Sequence, residues 1–277
     1  MTAEEKKLVP VWTLYGIRQG LATTAWPKKG GNDGQQGLLG FPRYHAEACE
    51  NGCRACADAC LPGAIQLAKD GSDSECLSID YGKCIVCQLC TEACPTGAME
   101  KSQEWAFGAR HRDDLLWAEA LASAPAHQLK DKIKSGFGRS LHIRHVDAGS
   151  CNGCESELQA LNNPFYNLHR LGIFFTPSPR FADLLLVTGP VTYAMRDALL
   201  ETYHAMPEPR WVMATGTCAV SGGAVGGGYA CGHGLDDLLR VDVYLPGCPP
   251  NPVAIIQALL LLLNRDKQRV KGGRLAQ

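Results

Sequence analysis

Of the fourteen cysteines in this 277-residue chain, twelve fall into three groups whose spacing suits metal chemistry. The first is Cys49, Cys53, Cys56 and Cys60 in "CENGCRACADAC", and the second is Cys84, Cys87, Cys90 and Cys94 in "CIVCQLCTEAC". The third is dispersed: Cys151 and Cys154 in "DAGSCNGCESE", Cys218 in "ATGTCAVSGG" and Cys248 in "YLPGCPP". A thiolate can be a nucleophile, a redox partner or a soft metal ligand, and its surroundings choose among these. The opening residues "MTAEEKKLVP" contain no apolar signal core, so a secreted disulfide framework has no support. In a reducing compartment, clustered cysteines are read as metal ligands.

The second group, followed by Pro95, is the C-x2-C-x2-C-x3-C-P run of bacterial ferredoxins. Its three closely spaced thiolates wrap one cuboidal cluster, and the fourth reaches the other. The first group departs from this run, with three residues between Cys49 and Cys53 and Leu61 between Cys60 and Pro62; a bulge absorbs the extra loop residue. The expected ligand sets are Cys49, Cys53, Cys56 and Cys94 for one [4Fe-4S] cluster, and Cys84, Cys87, Cys90 and Cys60 for the other. Zinc knuckles use paired CxxC units with a longer insert between pairs, which these runs lack. For the third group, spacing alone admits zinc, iron–sulfur or a thioredoxin-type dithiol. A dithiol would have no use for Cys218 and Cys248, so a third four-cysteine metal site is the reading, with its thiolates converging above a sheet.

These cysteines need a frame. From residue 140 onward, "LHIRHVDAG", "ADLLLVTGPV", "WVMATGTCA" and "VDVYLPGCPP" read as strands, and "ESELQALNN", "MRDALLETYHAM" and "PVAIIQALLLLLNR" as helices. Such alternation predicts a parallel α/β sheet over 140–277, with its ligand loops past the carboxyl ends of the strands. Residues 41–100 carry an internal repeat, "CENGCRACADACLPGAI" answered by "CIVCQLCTEACPTGAM", which predicts a small pseudo-symmetric α+β module folded around metal. Between them, 101–139 is predicted to be a helical linker. Residues 1–40 form an amino-terminal docking segment in which Val11, Leu14, Ile17, Gly20 and Leu21 recur at helical spacing, with Pro27 closing the helix. That helix is read either as packed on its own domain or as docking on a partner or membrane surface. The longest apolar run, "VAIIQALLLLL" at 253–263, falls short of the ~20 residues that cross a bilayer, so it reads as a buried helix or subunit contact. With 27 basic against 28 acidic residues the chain has no footprint for nucleic acid.

The runs "DAGSCNGCESE", "PSPRFADLLLVTGPVT", "MPEPRWVMATGTCAVSGG" and "VDVYLPGCPP" resemble the electron-transferring small subunit of membrane-bound [NiFe] hydrogenases of the formate hydrogenlyase kind, related to the terminal-cluster subunit of respiratory complex I. The complex I subunit has adjacent cysteines where Cys151 and Cys154 form C-x-x-C here, which favours the hydrogenase branch. The amino-terminal half, with "GLATTAWP" ahead of the repeat, is similar to the two-cluster subunit that neighbours it in such complexes. The resemblance implies a flavodoxin-like sheet domain and a third [4Fe-4S] cluster on Cys151, Cys154, Cys218 and Cys248. It implies an electron relay without a catalytic centre of its own. Its implied partners are a large nickel–iron catalytic subunit, integral membrane subunits and a further iron–sulfur or ferredoxin donor. Its implied place is peripheral, on the cytoplasmic face of the inner membrane.

By the same resemblance Glu157 lies beside the third cluster, coupling proton to electron, and Arg180 lies close to it and favours its reduced form. The competing readings are a carboxylate complementing a helix amino terminus and a surface ion pair. Glu155 is assigned to the helix terminus, and His142 and His145 to structure. The glycine-rich "SGGAVGGG" at 221–228 lacks the G-x-G-x-x-G frame and serves as a loop around Cys218. Cys76 and Cys231 are read as ordinary packed or surface thiols. A nickel-free, quinone-linked relative and a zinc-stabilised scaffold are the alternatives.

Overall fold

The computed structural model describes residues 11–20, 23–27, 33–50, 52–69, 75–118 and 140–275. Helix α1 (Val11–Gln19) forms where its apolar spacing predicts it, but none of its side chains is buried: Trp12 is 76% and Ile17 73% exposed. The reading of a helix packed on its own domain is therefore corrected. At 100° per residue Val11, Trp12, Leu14, Tyr15 and Ile17 spread around the helix, leaving no single stripe to seat against a core.

The repeat builds two strand–helix–strand units. They are β1 (Arg43–Tyr44), α2 (Ala55–Asp58) and β2 (Ile65–Lys69), then β3 (Glu75–Asp80), α3 (Leu89–Ala93) and β4 (Met99–Glu100). β1 pairs antiparallel with β4 and β2 with β3, so the units interlock about a pseudo-twofold. The chain then runs extended through a 3-10 turn at Arg112–Leu115 into β5 (Leu116–Ala118), which joins β3. The helix expected over 101–139 is thus absent from its described part, and 119–139 lies outside the described residues. The reason is in the packing: Ala106, Phe107 and Ala109 are each at most 3% exposed, Ala109 pairs with Tyr244, and Trp117 lies on β5 against β3, so the strip is held between the two halves rather than coiled on itself.

The remainder alternates β6 (Leu141–Asp147), α4 (Gly153–Ala160), β7 (Ile173–Phe175), β8 (Leu184–Thr188), α5 (Tyr193–Ala205), β9 (Trp211–Thr215), α6 (Thr217–Ser221), β10 (Val243–Leu245) and α7 (Pro252–Leu262). A small hairpin, β11 (Val270–Lys271) and β12 (Arg274–Leu275), follows. The five strands β6 to β10 form one wholly parallel sheet in the order β10-β9-β8-β6-β7. β8 and β9 are buried at every residue, as strands covered on both faces must be. The apolar run at 253–263 supplies α7, buried along its whole length and capped by Asn251, whose side chain accepts the Ala254 N–H at 2.7 Å.

The halves share one core. Ile79 and Phe107 belong to the same apolar cluster as Leu185, Val187 and Ala214. Ala109 exchanges backbone hydrogen bonds with Tyr244 at 2.9 and 2.7 Å, and Gln268 Nε2 donates to Asp114 Oδ2 at 2.7 Å.

Candidate metal-cluster site

In a parallel sheet the chain leaves each strand at the same edge, and three cysteine loops leave there: Cys151 after β6, Cys218 after β9 and Cys248 after β10. Cys154 follows one helical turn on, at the start of α4, and is 9% exposed, whereas Cys151 and Cys248 face outward. Burial holds the Cys154 thiol well above its ordinary range, and its charged neighbours Glu155, Cys218, Cys248 and Cys151 add to the shift. Burial likewise pushes Cys218 up to about 11, with Cys248, Cys151 and Cys231 beside it. The structure therefore brings Cys151, Cys154, Cys218 and Cys248 together.

The repeat gathers two further sets. Burial raises the Cys84 thiol to about 12; Cys90, Cys60 and Cys87 add to it, against an N–H from Val86. Those four cysteines line one pocket with Pro62, Ile65 and Ile79. Cys56 is raised by burial and then by Cys49 and Cys94, and Cys53 lies half-buried in the loop before α2. Cys90, raised to about 11 by burial and then by Cys60 and Cys87, also feels Cys56, so the first two sets adjoin.

Do these sites fit iron–sulfur clusters? Neutral thiols crowded this way resist ionising in one another's company, and a cationic core that binds them as thiolates removes that conflict. Backbone N–H groups already point at sulfur: Val86 donates to Cys84 Sγ at 3.4 Å and Met99 to Cys94 Sγ at 3.5 Å. Glycines keep space open beside the third set, since a Cβ on Gly216 would stand 2.7 Å from Cys154 Sγ and one on Gly223 2.9 Å from Cys218 Sγ. Among the described residues no group of three or more His, Cys, Asp or Glu side chains is already closed into a single-metal site. Donor type, N–H groups and open space suit a polynuclear cluster.

Val86 and Gln88 hold left-handed backbone (φ 59 and 64), uncommon for residues with a Cβ, and wrap the loop carrying Cys84 to Cys90. Gln88, 4% exposed, anchors that loop by donating from Nε2 to the Gly40 carbonyl at 2.7 Å.

The polar residues are arranged otherwise than the sequence suggests. Glu155 is 9% exposed and accepts from Ser150 Oγ at 2.7 Å and from Thr188 Oγ1; His145 Nε2 lies 3.5 Å from it and 2.9 Å from Thr188 Oγ1. This network underlies the Cys151 loop, and burial holds His145 below the ordinary histidine range against the pull of Glu155. Glu155 thus does more than end a helix, and its place directly after Cys154 was the available signal. Glu157 lies two residues further along α4, about half a turn round, half-buried, with its carboxyl raised by burial and Tyr166 within its electrostatic reach.

Arg180 is corrected. It is exposed in the 3-10 turn Pro179–Phe181 that leads into the amino end of β8. The cysteine loops leave the carboxyl ends, so the five residues of β8, about 3.3 Å each, separate them. Cys231 is 3% exposed and its thiol donates to the Val225 carbonyl at 3.1 Å, as a packed cysteine does; the Cys76 side chain lies outside the described residues. His142 stacks on Phe174, a structural role.

Residues 151–262 match the family described as NADH ubiquinone oxidoreductase, 20 Kd subunit, and residues 77–100 the family described as 4Fe-4S binding domain. The chain is 42% identical over 152 residues to formate hydrogenlyase subunit 7 of Escherichia coli (strain K12), which covers 55% of this chain and 58% of that protein. It is 41% identical over 136 residues to the probable membrane-bound hydrogenase subunit mbhJ of Pyrococcus furiosus, covering 49% of this chain and 81% of that one. Among solved structures, that of the membrane-bound sulfane sulfur reductase (MBS), an archaeal respiratory membrane complex, has a chain 34% identical, with a TM-score of 0.40 and coverage of 49% and 76%.

Proposed function

This chain belongs to the NADH ubiquinone oxidoreductase 20 Kd subunit family, and from that premise we propose that it is an iron–sulfur electron-relay subunit of a membrane-associated oxidoreductase complex of the hydrogenase type. A [4Fe-4S] cluster supplies one-electron transfer with little rearrangement. Cys49, Cys53, Cys56 and Cys94 hold the first, Cys84, Cys87, Cys90 and Cys60 the second, and Cys151, Cys154, Cys218 and Cys248 the third. The observation that carries this reading is that the three thiol sets follow one another: the first adjoins the second through Cys56 and Cys90, and the second adjoins the third where Thr217, next to Cys218, bonds the Cys84 carbonyl.

The sheet domain is flavodoxin-like: numbered from β6, its strand order is 2-1-3-4-5, and the third set stands at the carboxyl edge where such sheets bind ligands. Exposed Cys151 and Cys248, with exposed Tyr193, Val225 and Tyr229 around the loop after Cys218, form the face towards a large catalytic subunit. That subunit carries the nickel–iron centre, and a ferredoxin-type donor or acceptor docks at the repeat. Among the described residues no helix is long and apolar enough to cross a membrane, and attachment on the cytoplasmic face runs through integral partner subunits.

Metal analysis of the anaerobically isolated complex tests the reading. About twelve irons with matching labile sulfide per chain, the content of three four-iron clusters, and nickel on a larger subunit are expected. The same iron without nickel would keep the relay and replace the hydrogenase partner with a nickel-free relative. Zinc with little iron would overturn the proposal.

A further inference from the structure

Thr217 stands between the two halves of the chain. It opens α6, directly before Cys218, and is 1% exposed. Its hydroxyl donates to the backbone carbonyl of Cys84 at 2.9 Å, across 133 residues, and accepts the backbone N–H of Gly247 at 3.0 Å. Its own N–H donates to the Gly247 carbonyl at 2.9 Å. A hydroxyl has one proton to give and two lone pairs to offer, and both capacities are in use here.

Each segment that meets at this hydroxyl carries a proposed cluster ligand: Cys84 itself, Cys218 next to Thr217, and Cys248 next to Gly247. We propose that Thr217 is a positioning residue that locks the second and third thiol sets to each other, fixing their spacing through one buried hydroxyl. This rests on the relay reading for its purpose, but not for its geometry. Packing of the halves does not depend on it, because the Ala109–Tyr244 exchange and the Gln268–Asp114 bond tether them elsewhere. Removing the hydroxyl while keeping its shape leaves the Cys84 carbonyl and the Gly247 N–H buried and unpaired, which loosens the junction rather than the fold.

The test uses Thr217→Val, which preserves shape, and Thr217→Ser, which preserves the hydroxyl, each in the full chain. Three quantities are read: iron and labile sulfide content, amide hydrogen exchange at Gly247, and the magnetic interaction between reduced clusters in the EPR spectrum of the dithionite-treated protein. In the valine variant Gly247 should exchange roughly five- to tenfold faster, the factor that a hydrogen bond's net worth represents. The interaction between the second and third clusters should change at undiminished iron content. The serine variant should match the wild type in both. Loss of about four irons from the valine variant alone would also support the proposal, since the hydroxyl would then be holding a ligand loop itself. Unchanged exchange and unchanged interaction in the valine variant would overturn it, as would a serine variant that behaves like valine. Wild-type protein without iron would instead sink the relay reading, and the exchange measurement would still decide the role of Thr217.

Discussion

At the scale of single residues, burial keeps the thiols of Cys56, Cys84, Cys90, Cys154, Cys218 and Cys248 from ionising until something cationic accepts them, whereas at Cys94 hydrogen bonds from Met99 and Thr96 outweigh burial and lower the thiol. Cys248→Ser should remove about four irons, one cluster's content, leave those of the repeat in place and abolish the magnetic interaction with the third cluster, since the thiol that acts on Cys248 is Cys151 of the third set. Glu157 makes a pH-dependent prediction. Burial raises its folded-state pKa above the unfolded value, so its contribution to stability is complete below about pH 4.3, the ordinary glutamate value, and is lost as pH rises through the folded one. Replacing it with glutamine should therefore flatten the fall of the melting midpoint with rising pH. Asp147 carries the opposite sign: burial opposes ionisation, but the N–H groups of Ser150 and Gly149 outweigh it, so its contribution fades as pH falls below about 3.9. These two carboxylates flank the Cys151 loop from either side, and their opposite titrations can be separated in one pH series of melting curves.

At the scale of elements, the loops after the parallel strands position the third set, and they do so with glycine. Gly216 has φ 89 and no room for a Cβ, because the nearest atom would be Cys154 Sγ at 2.7 Å. Gly216→Ala should cost about 1–3 kcal/mol from the left-handed backbone alone, and it should displace Cys154 so that the third cluster is lost while the first two remain, as read by iron content. Helix α7 packs in one apolar cluster with Leu158 and Leu161 of the α4 segment and supports the sheet as a buried helix. Leu259, 0% exposed, truncated to alanine should cost about 2–5 kcal/mol in denaturant unfolding, with no loss of cluster from the folded fraction.

At the scale of the whole molecule, the protein is a repeat and a sheet fused through an extended strip, with an exposed helix at its start. Replacing Trp12 and Ile17 with serine should leave the melting midpoint unchanged, because no side chain of α1 is buried; a fall would mean that α1 packs in solution. The repeat, the α/β alternation and the buried apolar helix are legible in the sequence, because each is a local signal of spacing or period. The course of 101–118 is hidden in the sequence under helix-like charge spacing, and its burial becomes visible only against the second half of the core. The resemblance sets Arg180 beside the third set, although it precedes β8 and so lies at that strand's amino end, whereas the cysteine loops leave the carboxyl ends. Glu155, His145 and Thr188 belong to different elements, and Thr217 meets Cys84 across 133 residues. Side chains that find one another across such separations do so through strand order and docking. The sequence alone therefore determines where the cysteine motifs fall, and the tertiary structure decides which thiols neighbour one another and which backbone groups join their loops.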